Sequence, residues 1–82
     1  MTKQEKLLKR FTSRPTDFTY NELIRLLKGL GYRELQGTGS RVAFRNEVIK
    51  HAIKLHRPHP GNVLKRYQID LIIQELKLKN LI

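Results

Sequence analysis

The sequence predicts an α+β domain in the order α-β-β-β-α: a three-stranded antiparallel sheet covered on one face by two helices, with a short extra helix at the N-terminus. Three observations lead there. Apolar residues follow a helical period as far as Leu30, alternate with a period of 2 after Gly31, and recover helical spacing beyond the Pro-containing stretch at Arg57 to Asn62. A length of 82 residues leaves room for one core and not two. The expected organisation is therefore a single domain over 1–82, with an N-terminal helix and linker in 1–17 and the core in 18–82.

The first segment, Thr2 to Ser13, places Leu7, Leu8 and Phe11 among Lys3, Lys6, Lys9 and Arg10, and Arg14-Pro15 stops it because the residue before proline is pushed out of the helical region. Thr19-Tyr20-Asn21-Glu22 reads as a capping box, in which the Thr19 hydroxyl accepts from the Glu22 amide and the Glu22 carboxylate reaches back to the Thr19 amide. A helix follows with Tyr20, Leu23, Ile24, Leu27 and Leu30 on its apolar side, and Gly31 closes it with a left-handed residue.

Tyr32 to Gln36 and Arg41 to Asn46 then read as two strands joined by the tight turn Gly37-Thr38-Gly39-Ser40. In the second strand Val42 and Phe44 share one face, and Arg41, Ala43 and Arg45 share the other. Asn46-Glu47 opens a turn that Val48 to Lys50 either continue or leave, and Ala52 to His56 reads as a third strand with Ile53 and Leu55 inward and Lys54 and His56 outward. Arg57-Pro58-His59-Pro60-Gly61-Asn62 is a constrained loop. The closing helix carries Tyr67, Ile69, Ile72, Ile73 and Leu76 at helical spacing. The expected core is Leu23, Ile24, Leu27, Leu30, Val42, Phe44, Ile53, Leu55, Ile69, Ile72, Ile73 and Leu76.

Charge and composition narrow the function. Seventeen Lys and Arg against seven Asp and Glu give a net charge of +10, which makes a polyanion the first partner to consider. The absence of cysteine removes disulfides, thiolate nucleophiles and cysteine-ligated metals, and fits a cytoplasmic protein. The longest apolar runs are a few residues, there is no Trp, and no helix sets a purely basic face against a large apolar one, so no membrane association is expected.

The outward sheet face collects Arg41, Arg45, Lys54 and His56, with Arg57 and His59 on the loop at its edge and the small residues Gly39 and Ser40 in the hairpin. Arg and Lys neutralise phosphates through charge-assisted hydrogen bonds, and small hairpin residues let a nucleic-acid backbone approach closely. His56 and His59 form a candidate catalytic set, because RNA cleavage by internal transfer needs a base for the 2′-hydroxyl proton and an acid for the leaving 5′-oxygen. The spacing equally allows His59 to pack in the turn while His56 only binds phosphate. His51 reads as an ordinary surface or turn residue. Two histidines without a placed carboxylate make an incomplete ligand set, so neither metal nor cofactor is expected.

The helix ending Leu30-Gly31-Tyr32, the strand opening Gly39-Ser40-Arg41-Val42-Ala43-Phe44, the loop Arg57 to Asn62 and the closing helix after Leu64-Lys65 together resemble a HicA-type toxin from about Phe18 to Leu81. The resemblance implies a double-stranded-RNA-binding-like fold, metal-independent cleavage of messenger RNA as an mRNA interferase, and a HicB-type antitoxin encoded alongside. It also implies a catalytic His directly after the Gly-Ser pair, where this sequence has Arg41 followed by Val42. Two readings follow. In one the chain is an endoribonuclease in which Arg41 stabilises the phosphorane and His56 or His59 moves the protons. In the other it is a non-catalytic double-stranded-RNA-binding module, its basic face touching only phosphates and 2′-hydroxyls. Sequence-specific DNA binding ranks last, since no helix carries base-reading Arg, Asn or Gln at helical spacing.

Overall fold

A computed structural model describes residues 2–59 and 61–82 of the chain. The elements run α1 (Lys3–Thr12), α2 (Tyr20–Gly29), β1 (Arg33–Gln36), β2 (Arg41–Asn46), β3 (His51–His56) and α3 (Arg66–Leu78). The three strands form one antiparallel sheet in the order β1-β2-β3. The α+β order expected from the sequence is the one observed.

Local chemistry sets the boundaries. The Thr19 hydroxyl accepts from the Glu22 amide at 3.2 Å and the Glu22 carboxylate accepts from the Thr19 amide at 3.0 Å, so α2 starts where its capping box lies. Thr2 and Glu5 repeat that arrangement at the head of α1. Gly31, at φ +97°, turns the chain out of α2, and a side chain there would crowd the Asn46 carboxamide. Asn46, buried on β2, shapes the turn into β3: its Nδ2 donates to the Leu30 carbonyl and its Oδ1 accepts from the amides of Val48 and Ile49. Residues 47–50 are all turn, and β3 begins at His51, one residue earlier than the apolar alternation suggests.

The register pairs Leu35 with Ala43 and Ala43 with Lys54, Arg33 with Arg45 and Arg45 with Ala52, and Arg41 with His56. These residues make up the outer face. The inner rows, Glu34–Phe44–Ile53 and Gln36–Val42–Leu55, lie under the helices. Val42, Phe44, Ile53 and Leu55 meet Leu23, Leu26 and Leu27 of α2 and Ile69, Ile72, Ile73 and Leu76 of α3 in a single core.

Three expectations change. Tyr67 is 64% exposed, because it sits about 200° round the helix from Ile69 at 100° per residue and the stripe Ile69-Ile72-Ile73-Leu76 turns it outward. Leu26 is fully buried, while Ile24 and Leu30 are only partly so, since α2 is covered by α1 on one flank as well as by the sheet. The first helix is also part of the core: Phe11 has no exposed surface and its ring lies 4.9 Å from that of Phe18. Of the expected Arg57 to Asn62 loop, Pro60 lies outside the described residues. The remainder is tied back to the start of α2, where Asn62 accepts from the Tyr20 amide at 2.7 Å and Phe18 accepts from the Leu64 amide at 2.8 Å.

Candidate nucleic-acid interface

Strand alternation and the tight hairpin bring together one end of the outer face. Gly37 donates its amide to the Arg41 carbonyl at 2.8 Å, Arg41 donates to the Thr38 carbonyl at 3.2 Å, and Gly39 takes φ +64°, so the hairpin closes at Arg41. Arg41 faces His56 directly across the β2–β3 pair. Ser40 stands beside them, its Oγ 3.2 Å from His56 Nδ1 and its carbonyl accepting from the Arg57 amide at 2.7 Å.

His56 is also held from beneath. Gln68, buried in the first turn of α3, donates through Nε2 to the His56 carbonyl at 2.8 Å, while its Oε1 accepts from the Lys65 amide at 3.0 Å. Gln68 has no special motif around it in the sequence; only its place four residues before Ile72 and eight before Leu76, on the buried side of the helix, hints that it points inward. The rotation of the exposed imidazole is thus limited by Ser40, and its backbone by Gln68.

Alongside Arg41 and His56 lies a cleft of about 420 Å³ whose lining includes Leu35, Gly37, Ala43 and Lys54. Leu35 is 38% exposed there, an apolar patch on the edge strand beside the cationic side chains. Among the described residues no carboxylate pairs with Arg41 or Lys54. The other end of the face differs. Glu47 holds Arg45 at 3.1 Å and Arg33 at 3.3 Å, so the positive charge there is partly neutralised.

Arg57 turns away from the outer face. Its guanidinium lies 5.9 Å from the Tyr20 ring centroid and donates to Gln36 Oε1. Tyr20 in turn donates to the Glu34 carboxylate, and its phenol pKa is pushed well above the ordinary range by burial and by Glu34. His59 is exposed on the loop, and no hydrogen bond joins it to the other described residues. The structure therefore brings Ser40, Arg41, Lys54 and His56 to one place, and leaves Arg45 at the opposite end and His59 apart.

The largest departure from expectation is His51. It is a strand residue on the inner face, with a side chain only 9% exposed. Tyr32 Oη lies 2.6 Å from its Nδ1 and Glu75 Oε2 lies 3.2 Å from its Nε2. Burial foremost, and then the Glu75 carboxylate, raises the Tyr32 phenol above its ordinary range. A surface reading fails because the strand starts at His51 and its parity, shared with Ile53 and Leu55, points the imidazole inward.

Among the described residues no cluster of three or more His, Asp or Glu is grouped as a metal site, and no helix is long and apolar enough to cross a membrane. Residues 20–78 match the family model of the HicA toxin of bacterial toxin-antitoxin systems, a span that begins at the first residue of α2 and ends at the last of α3. No curated protein and no solved structure gives a significant match.

Proposed function

The chain belongs to the HicA toxin family, the toxins of bacterial toxin-antitoxin systems, and from that premise we propose that it is a metal-independent mRNA endoribonuclease held inactive by a HicB-type antitoxin. The observation that carries the reading is the juxtaposition of Ser40, Arg41 and His56 at the open end of the outer sheet face. A histidine is missing directly after the Gly-Ser pair, and another imidazole stands across the strand pair from that position.

The chemistry is internal transfer. The RNA 2′-oxygen attacks the adjacent phosphorus, its proton passes to a base, the bond to the 5′-oxygen breaks, and that oxygen takes a proton. A 2′,3′-cyclic phosphate and a 5′-hydroxyl result. With Nδ1–H donating to Ser40 Oγ, His56 Nε2 is free to accept the 2′-hydroxyl proton. Arg41, without a carboxylate partner among the described residues, supplies charge to the equatorial phosphorane oxygens. Lys54 and the hairpin at Gly39 and Ser40 take flanking phosphates, joined at longer reach by Arg45, while Arg57, engaged by Tyr20 and Gln36, stays out of the contact. His59 is the candidate acid for the leaving oxygen, a role that requires the loop to bring it over the bound phosphate.

Arg41 itself favours a second reading. An arginine at the family's histidine position is a phosphate ligand and not a proton carrier, which suits a non-catalytic double-stranded-RNA-binding module. Both readings expect RNA affinity to fall steeply with salt, by about 0.7–0.9 log units per tenfold increase in salt for each phosphate contacted. The deciding experiment is expression of the chain without antitoxin, with purified protein incubated with RNA in the presence of a chelator. The first reading expects growth arrest and cyclic-phosphate ends. RNA binding with neither arrest nor cleavage would establish the second.

A further inference from the structure

Residues 3–12 lie outside the segment that matches the family, yet α1 is capped and tied into the rest of the fold. Its N-terminus is capped by Thr2 and Glu5, and Phe11 anchors it in the core. Gln4 locks it to α2, donating through Nε2 to the Leu26 carbonyl at 3.0 Å and lying flat over Gly29, where any Cβ would collide with its carboxamide. The side chains that α1 turns outward are therefore held on a fixed scaffold.

Between α1 and α2 runs a cleft of about 570 Å³ lined by Lys3, Gln4, Lys6, Leu7, Arg10 and Arg25. Its lining holds four cationic side chains and no carboxylate. Arg10 is shared with Asp17 at 3.0 Å and Glu22 at 3.7 Å, but no carboxylate among the described residues pairs with Lys3, Lys6 or Arg25. Leu7, half-buried and resting on the core, supplies an apolar patch between these charges. Because α1 packs on α2 and the buried side of α2 meets the inner face of the sheet, the cleft belongs to the helical layer and not to the face that carries Arg41, Lys54 and His56.

We infer that this cleft is a docking site for an acidic peptide segment of the antitoxin, one with an apolar side chain for Leu7 flanked by carboxylates for Lys3, Lys6 and Arg25. The inference rests on the antitoxin that family membership implies, and not on the RNA reading of the sheet. An apolar anchor ringed by charge is the pattern of a peptide in a helix groove, whereas a nucleic-acid backbone offers phosphates and sugars but no aliphatic group to cover Leu7. A contact here lets the antitoxin hold the toxin by a surface that RNA does not occupy. Linked to a second contact elsewhere, it multiplies the overall affinity through effective concentration.

The test compares two triple variants of equal net charge, Lys3→Gln/Lys6→Gln/Arg25→Gln in the cleft and Arg66→Gln/Lys77→Gln/Lys79→Gln away from it. All six positions are exposed, so folding is expected to survive, which circular dichroism checks. Relative to the control triple, the cleft triple should bind the cognate antitoxin about 10- to 100-fold more weakly and an RNA hairpin equally well. Equal antitoxin binding by the two triples overturns the inference. So does a selective loss of RNA binding in the cleft triple, which would make the cleft a nucleic-acid surface. In the unaltered chain, at least one peptide spanning an acidic stretch of the antitoxin should shift the amide resonances of Lys3 to Arg10 and of Arg25. If no such peptide does, the inference fails without recourse to any variant.

Discussion

His51 and His56 stand at the two ends of one six-residue strand and have opposite fates. Five positions apart, an odd number, they point to opposite faces of the sheet. His51 goes inward, where both ring nitrogens meet partners, Tyr32 and Glu75, in a largely buried setting. His56 goes outward, where one nitrogen meets Ser40 and the other is open to whatever lies on the face. A histidine with both nitrogens occupied joins elements together; here β3 is joined to α3 and to the residue that leads into β1. A histidine with one nitrogen oriented and the other free is equipped to move a proton. Strand parity thus makes one histidine a structural link and leaves the other open on the surface.

The largest expected effect tests the outward member of the pair. His56→Ala should lower RNA cleavage by about 10² to 10⁴ while leaving the melting temperature and the RNA affinity nearly unchanged, as measured by single-turnover cleavage beside a binding titration. Cleavage that survives His56→Ala but is lost in His59→Ala would move the chemistry to the loop.

Next in size is the inward member. His51→Ala leaves the Tyr32 hydroxyl and the Glu75 carboxylate without their partner, at a cost of about 1–3 kcal/mol, or roughly 4–8 °C in melting temperature for each kcal/mol. The rate of cleavage well below the melting temperature should stay the same. The same cluster has an alkaline signature. Burial keeps the Tyr32 phenol protonated in the folded chain beyond the pH, about 10, at which it ionises when unfolded. Its contribution to stability is complete below about pH 10 and is lost as pH rises through the higher folded value. Tyr32→Phe should flatten that decline in denaturant titrations run across alkaline pH.

The smallest effect concerns charge along the outer face. Glu47→Gln frees Arg33 and Arg45 from their shared carboxylate, a pairing of exposed groups that contributes only about 0–1 kcal/mol to stability. RNA affinity should rise a few-fold, and its salt dependence should steepen by about 0.7–0.9 for each arginine that reaches a phosphate. An unchanged slope would confine RNA to the Ser40–His56 end.

Much of the fold was legible because its signals are local. The Thr19–Glu22 capping box, the left-handed Gly31, the Gly37-to-Ser40 hairpin and the changes of hydrophobic period each act within a few residues, and each marks an element boundary in the structure to within about one residue. Periodicity also gave the outward set of Arg41, Arg45, Lys54 and His56, since alternation along a strand is a property of the backbone alone. The position of Tyr67 was misread because its apolar character was weighed without its angle to Ile69.

What the sequence determined by itself was the order of elements, the basic outer face and the family they belong to. Only the tertiary structure decided which cations on that face are free, because Glu47 is two residues from Arg45 in sequence but reaches Arg33 only through the register of β1 on β2. It decided that Arg57 leaves the face for Tyr20 and Gln36, and that Gln68 supports His56 from another element. It placed His51 between Tyr32 and Glu75, nineteen residues one way and twenty-four the other. Such contacts depend on how distant segments pack, and no periodicity within a single element encodes them.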